Sequence, residues 1–229
     1  MYFGSGWAYT VPMQTPARSD QADTPCTTRA RGRPRAFDRD AALAHAMRLF
    51  WQKGYAATSI ADLTQAMGIA APSLYAAFGS KDALYVEALN HYADLYGPIG
   101  WQAFLEGKTA RASIEGWLLD SARLLTGGAG NVPLGCMVTL SAVGSEGHQA
   151  LGELVRSGRA SGLARVRARL AQGVADGDLA PSVDLDALAR FAHLVQNGMS
   201  IQARDGVGRA ELEAVARIAM LGWDALVKA

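Results

Sequence analysis

Residues 58–81, TSIADLTQAMGIAAPSLYAAFGSK, leave room for little except two short helices meeting at a sharp turn. Ser59 stands where a helix cap is needed, and Asp62 follows three residues later, the spacing of a capping-box partner. Ile60, Leu63 and Met67 repeat at helical spacing. Gly68 comes next, at a reversal whose backbone angle resists any side chain with a Cβ. Pro72 falls early in the second helix, where a missing N–H costs nothing, and Leu74 and Phe78 give that helix one apolar face. The pattern predicts a helix-turn-helix, which presents its second helix to the major groove of DNA.

Charge supports a nucleic-acid partner only locally. The whole chain of 229 residues carries a formal net charge of +1, yet Arg29, Arg31, Arg33 and Arg35 fall within seven residues just ahead of this region. Gly32 and Pro34 keep residues 29–36 out of a helix. Alone, such a run reads as a solvated tail. In front of a helix-turn-helix, an arm along the minor groove fits better, because the negative potential there draws arginine in. Residues 1–28, rich in Thr, Pro, Ser, Gly and Asp, have no period and predict a disordered tail. The first thirteen of them, MYFGSGWAYTVPM, carry no positive charge and no long apolar core, so they do not read as a signal peptide. Two distant cysteines, Cys26 and Cys136, fit a reducing cytoplasm better than a disulfide. No apolar run approaches the roughly 18 residues of a membrane span.

The remaining pattern is all-helical. Asp38 caps a helix to about Lys53, with Leu43, Ala46, Met47 and Phe50 inward and Gly54 at its end. Ser80 caps another to about Tyr96, with Leu84, Ala88, Tyr92 and Leu95 on one face and Gly97-Pro98 as the stop. A short apolar segment covers 101–107, and a helix covers 110–125 before the break at 127–131. Residues 134–143 read as buried nearly all round. Residues 147–176 form one long helix or two, with Leu163, Val166, Leu170 and Val174 inward and arginines 156, 159, 165, 167 and 169 on a solvated face. A helix at about 184–204 carries Leu185, Leu188, Ala192, Val195 and Met199. The last, about 210–228, carries Leu212, Val215, Ala219 and Leu226, and its apolar residues exceed one stripe. A terminal helix apolar on two faces calls for a second partner, which a second copy of the chain supplies as a four-helix interface.

Residues 32–89 resemble the DNA-binding domain of the TetR family of transcriptional regulators. The resemblance rests on GRPR at 32–35, Phe50, Gly54-Tyr55, Thr58-Ser59-Ile60, Gly68-Ile69, Ser73-Leu74-Tyr75, Phe78, Lys81 and Leu84. It implies an all-α protein. Its parts are a tail at 1–28, a basic arm and three-helix helix-turn-helix DNA-binding domain at 29–80, and a larger helical ligand-binding and dimerisation domain at 81–229. It further implies a homodimer joined through its last two helices, a palindromic double-stranded operator and an unknown small-molecule effector, with repression the family's commoner mode. The DNA-contacting candidates are Arg31, Arg33, Arg35, Thr58, Ser59, Ala71, Pro72, Ser73, Tyr75, Ala76, Ala77 and Lys81. Thr58 and Ser59 open a helix whose N–H groups and hydroxyls can hold a phosphate, and Lys81 adds a charge. The outer face of the second helix departs from the family pattern, since Ala70 to Ala77 include no Arg, Lys, Asn or Gln for bidentate base contacts. Thymine methyl contacts, Ser73, Tyr75 and the arginine arm are then left to read sequence.

Effector-pocket candidates are Tyr92, Trp101, Phe104, Trp117, Met137, Phe191 and Gln196, any of which also fits an ordinary core. His148 and His193 are possible polar handles. Cys136 fits a buried inert thiol, with redox sensing as the alternative. His45, His91, His148 and His193 do not pair at metal-ligand spacing. Gly127-Gly128-Ala129-Gly130 follows a helix, not the strand a phosphate loop needs. No cofactor, metal or enzymatic role is expected. A non-specific architectural DNA-binding protein is the alternative to a site-specific regulator.

Overall fold

The computed structural model describes residues 37–227 except Asn131; the expected tail at 1–28, the arm with Arg31, Arg33 and Arg35, and Cys26 lie outside the described residues. Every regular element among them is an α-helix: α1 (Arg39–Lys53), α2 (Ile60–Met67), α3 (Ala71–Phe78), α4 (Lys81–Gly100), α5 (Gln102–Glu106), α6 (Ala110–Leu125), α7 (Met137–Leu140), α8 (Gln149–Ala175), α9 (Leu185–Arg204) and α10 (Arg209–Leu226). None is long and apolar enough to cross a membrane.

The expected caps form. Asp38 accepts from the Ala41 N–H, Ser80 from the Ala83 N–H, and Ser59 with Asp62 closes a full capping box on α2. Gly68 ends α2 at φ +69°, a left-handed angle that only glycine adopts without strain.

Two apolar cores result. One joins α1–α3 and the first half of α4 through Met47, Phe50, Leu63, Leu74, Phe78 and Tyr85. It does not close on itself, because Met137, Val143, Leu151 and Val155 from much later in the chain complete it. The other gathers Trp117, Leu118, Val166, Leu170, Met199, Leu212 and Trp223 from α6 and α8–α10.

Several expectations need correction. The α4 helix does not stop at Gly97-Pro98. Proline removes a single N–H, and the Trp101 N–H bonds the Gly97 carbonyl to finish the last turn. Leu95 is exposed, and Tyr96 takes the inward position beside Tyr92. Residues 134–143 are not buried nearly all round. They form a mostly half-buried connector with one helical turn, in which Gly135, Met137 and Val143 are buried. The arginines of α8 are not all solvated. Arg159 donates to the carbonyls of Val138, Thr139 and Ser141, Arg165 lies over the Trp101 ring, and Arg169 donates to Ser113 and Gly107. The inner stripe of α10 is Leu212, Ala216, Ala219, Met220 and Trp223, whereas Val215 and Leu226 face out.

The connector takes tight glycine geometry. Gly135 is buried at φ +75°, and a Cβ there would stand 2.7 Å from the Ser200 carbonyl oxygen and 2.5 Å from a Leu140 methyl. Gly177 shares the backbone angle, at φ +82°, with open space around it. Gly177→Ala should therefore cost about 1–2 kcal/mol from backbone strain alone. Gly135→Ala should cost at least about 2 kcal/mol more, because backbone must also move. Urea denaturation of both variants checks the difference.

Candidate nucleic-acid interface

The exposed face of α3 is built by three constraints. Gly68 turns the chain, Pro72 sets the first turn, and Leu74 and Phe78 anchor the opposite side in the first core. Pro72, Ser73, Tyr75 and Ala76 are left pointing outward, with Tyr75 48% exposed. Ala71 is half-buried. Ala77, expected on the outer face, is also half-buried against the core, and its carbonyl accepts from Arg39.

Thr58 is the clearest departure from expectation. It is fully buried, its hydroxyl donates to the Gly54 carbonyl at 2.6 Å, and its N–H bonds the Tyr55 carbonyl. It closes the turn between α1 and α2 and offers no hydroxyl to a phosphate in this arrangement. Ser59 is exposed, but Asp62 accepts both its N–H and its hydroxyl. The donors left to an anion at this helix start are first-turn backbone N–H groups. Lys81 is half-buried, its ammonium 4.2 Å over the Tyr55 ring, and burial pulls its pKa below the ordinary value. The Tyr55 hydroxyl donates to Asp82, and burial and that carboxylate push its pKa up.

Two charged latches were not legible from spacing. Arg39 pairs with Glu87 at 2.7 Å and stacks on the Phe78 ring, tying α1 to the end of α3 and the first half of α4. Lys53 pairs with Asp62 at 2.9 Å. That pair sets a positive charge beside the capping carboxylate, which would otherwise repel a phosphate at the start of α2.

Apart from Gln196, the expected pocket residues divide between the two cores. Trp101 stacks on Trp117 with centroids 5.0 Å apart, Phe104 meets both rings edge-on, and Phe191 joins the same second core. Gln196 is half-buried on α9. Tyr92 and Met137 belong to the first core. Cys136 is half-buried; its sulfur accepts from the Tyr92 hydroxyl at 3.3 Å and its N–H donates to Ser200. His193 packs near Trp117 and hydrogen-bonds Asn197, and burial lowers its pKa. His148 lies against the Tyr55 ring.

The Asp62 carboxyl is held well below its ordinary value of 3.8, first by the Ser59 N–H and then by Lys53 and the Ser59 hydroxyl. A depressed carboxyl stabilises the fold fully above its unfolded pKa and loses that contribution as pH falls through the folded value. Ser59→Ala should cost about 1 kcal/mol at pH 7. Its gap to the parent should narrow below about pH 4 in denaturation curves taken across the acid range.

Comparison with known proteins agrees with this geometry. The family model described as bacterial regulatory proteins, tetR family, matches residues 42–88. The HTH-type transcriptional repressor ComR of Escherichia coli (strain K12) is 36% identical over 207 residues, covering 90% of this chain and 98% of ComR. BdcR, an HTH-type transcriptional repressor of the same organism, is 32% identical over 198 residues, covering 84% and 92%. A solved cysteine mutant of the TetR family transcriptional regulator CifR, complexed with 26bp double-strand operator DNA, is 41% identical at a TM-score of 0.77, covering 82% of this chain and 98% of that one.

Proposed function

Since the chain belongs to the TetR family of bacterial regulatory proteins, we propose that it is a dimeric transcriptional repressor, not an enzyme, which binds a palindromic operator and leaves it when a small molecule binds. The observation carrying this reading is the outward face of Pro72, Ser73, Tyr75 and Ala76 on a helix anchored by Leu74 and Phe78. The solved complex of the CifR mutant with operator DNA supports a duplex as the partner.

Sequence is then read with few side chains. Ser73 and Tyr75 supply hydroxyls, and Pro72 and Ala76 supply apolar surface for thymine methyls. Arg31, Arg33 and Arg35 enter the adjacent minor groove. Ser59 contributes the helix start it caps, with Lys81 alongside for charge. Cytoplasmic action follows from a chromosomal target.

Dimerisation is supported by what the two closing helices leave outside. Leu194 and Ile201 lie seven residues apart on α9, and Val215, Ile218 and Leu221 repeat at three-residue spacing on α10, all exposed. Two such pairs packed about a twofold axis bury these residues and set two α3 helices about one DNA turn apart, roughly 34–36 Å.

Capture of genomic DNA fragments by the full chain tests the proposal. A short palindrome should be enriched. The double variant Ile218→Glu, Leu221→Glu should sediment as a monomer and lose that enrichment. Deleting residues 29–35 should weaken the recovered site about as much as Tyr75→Ala, by on the order of tenfold. Equal recovery of all sequences with a steep salt dependence would instead mark an architectural DNA binder.

A further inference from the structure

A cavity of about 160 Å³ lies at the edge of the first core, between the end of α1, α4, the 137–146 stretch and Arg204 at the end of α9. Phe50, Met137 and Leu140 form its apolar wall, and Lys53, Glu146 and Arg204 are its charged side chains. The volume is close to the roughly 150 Å³ that holds one benzene ring.

The charges are unequally matched. Lys53 is neutralised by Asp62 at 2.9 Å, and Glu146 is exposed, where water screens it. Arg204 is half-buried, and its guanidinium donates to the carbonyls of Leu134 at 2.9 Å, Gln52 at 3.1 Å and Trp51 at 2.9 Å. Those partners are neutral. A carboxylate would match the guanidinium fork in geometry and in charge, and charge-assisted bidentate pairs are roughly twice as strong as bonds to neutral acceptors.

We propose that this cavity binds a compact monocarboxylate with a small apolar body, which takes the Arg204 fork from the carbonyls of Trp51 and Gln52 and so frees α1 from α9. The apolar body rests on Phe50, Met137 and Leu140. The bound state differs from the free one in its link between the helix-turn-helix and the C-terminal helices, so the ligand has differential affinity for the two arrangements. This last step rests on the repressor reading above; binding itself does not.

The test is calorimetric titration of the full chain with sodium benzoate, with benzamide as the neutral isostere. Saturable benzoate binding, at least about tenfold tighter than benzamide, is expected. Arg204→Lys should weaken benzoate at least about tenfold, because an ammonium lacks the fork. Ala142 is an exposed lining residue of the same cavity, so Ala142→Phe, which leaves Arg204 in place, should do the same with the melting temperature kept. Absence of saturable benzoate binding, equal affinity for benzamide, or an unchanged Ala142→Phe would overturn the site. In a second arm, benzoate should weaken operator binding by the parent chain and not by Ala142→Phe. Binding that leaves operator affinity unaltered would overturn the regulatory step. A chain that binds no operator at all would contradict the repressor reading instead, since the titration needs no DNA.

Discussion

Arg204 ends α9, yet its guanidinium closes the carbonyl end of α1 and grips the connector at Leu134. Beside it, the buried Trp51 indole N–H donates to the Gly135 carbonyl at 3.1 Å. These bonds join the last turn of the first helix to a segment more than eighty residues later. Each satisfies a helix-end or connector carbonyl, and breaking one of those away from solvent, at Trp51, Leu134 or Gly135, leaves a polar group costing about 1–3 kcal/mol. Cations at a helix C-terminus also oppose its partial negative charge. On the other side of the connector, Arg159 holds three carbonyls and Asn197 accepts from Thr139.

The helix-turn-helix therefore does not stand as a separate unit on a linker. Its core includes Met137, Val143, Leu151 and Val155, and its first helix is tied to α9. A displacement of α9 or of the connector is felt at α1, and through the Arg39 and Lys53 latches at α3, α4 and α2. The proposed regulation would act through this contact. Two ligands that favour different arrangements of one packed contact must influence each other's affinity. The rings of Trp101, Phe104 and Trp117 pack on one another within the second core.

Much of this architecture was legible before the structure. Asp38, Ser59 and Ser80 as caps, Gly68 as a left-handed stop, and Leu74 and Phe78 as anchors are local features whose energetics depend on a few neighbouring residues. The exposure of Ser73 and Tyr75 followed from the same periodicity. What failed depends on distant partners. An arginine on a helix reads as solvated, yet Arg159 and Arg169 reach carbonyls and a hydroxyl on other elements, laying their aliphatic stems inward. Thr58 reads as a helix-start hydroxyl, but the turn places it over the Gly54 carbonyl. On α10, apolar residues on two faces permit two registers, and Trp223 decides it by filling the core that Leu226 does not reach. Trp51 and Arg204 carried no signal, because their bonds run to backbone, which has no sequence of its own.

Hydrogen exchange of the amides of α1–α3, compared between the parent chain and Arg204→Gln, examines the tie between the two cores. If Arg204 holds the helix-turn-helix in place, its loss should raise exchange in the last turn of α1 and through α2 and α3 together, while α6 and the middle of α8 keep their protection. Unchanged protection in α2 and α3, with α6 and α8 equally intact, would contradict the account.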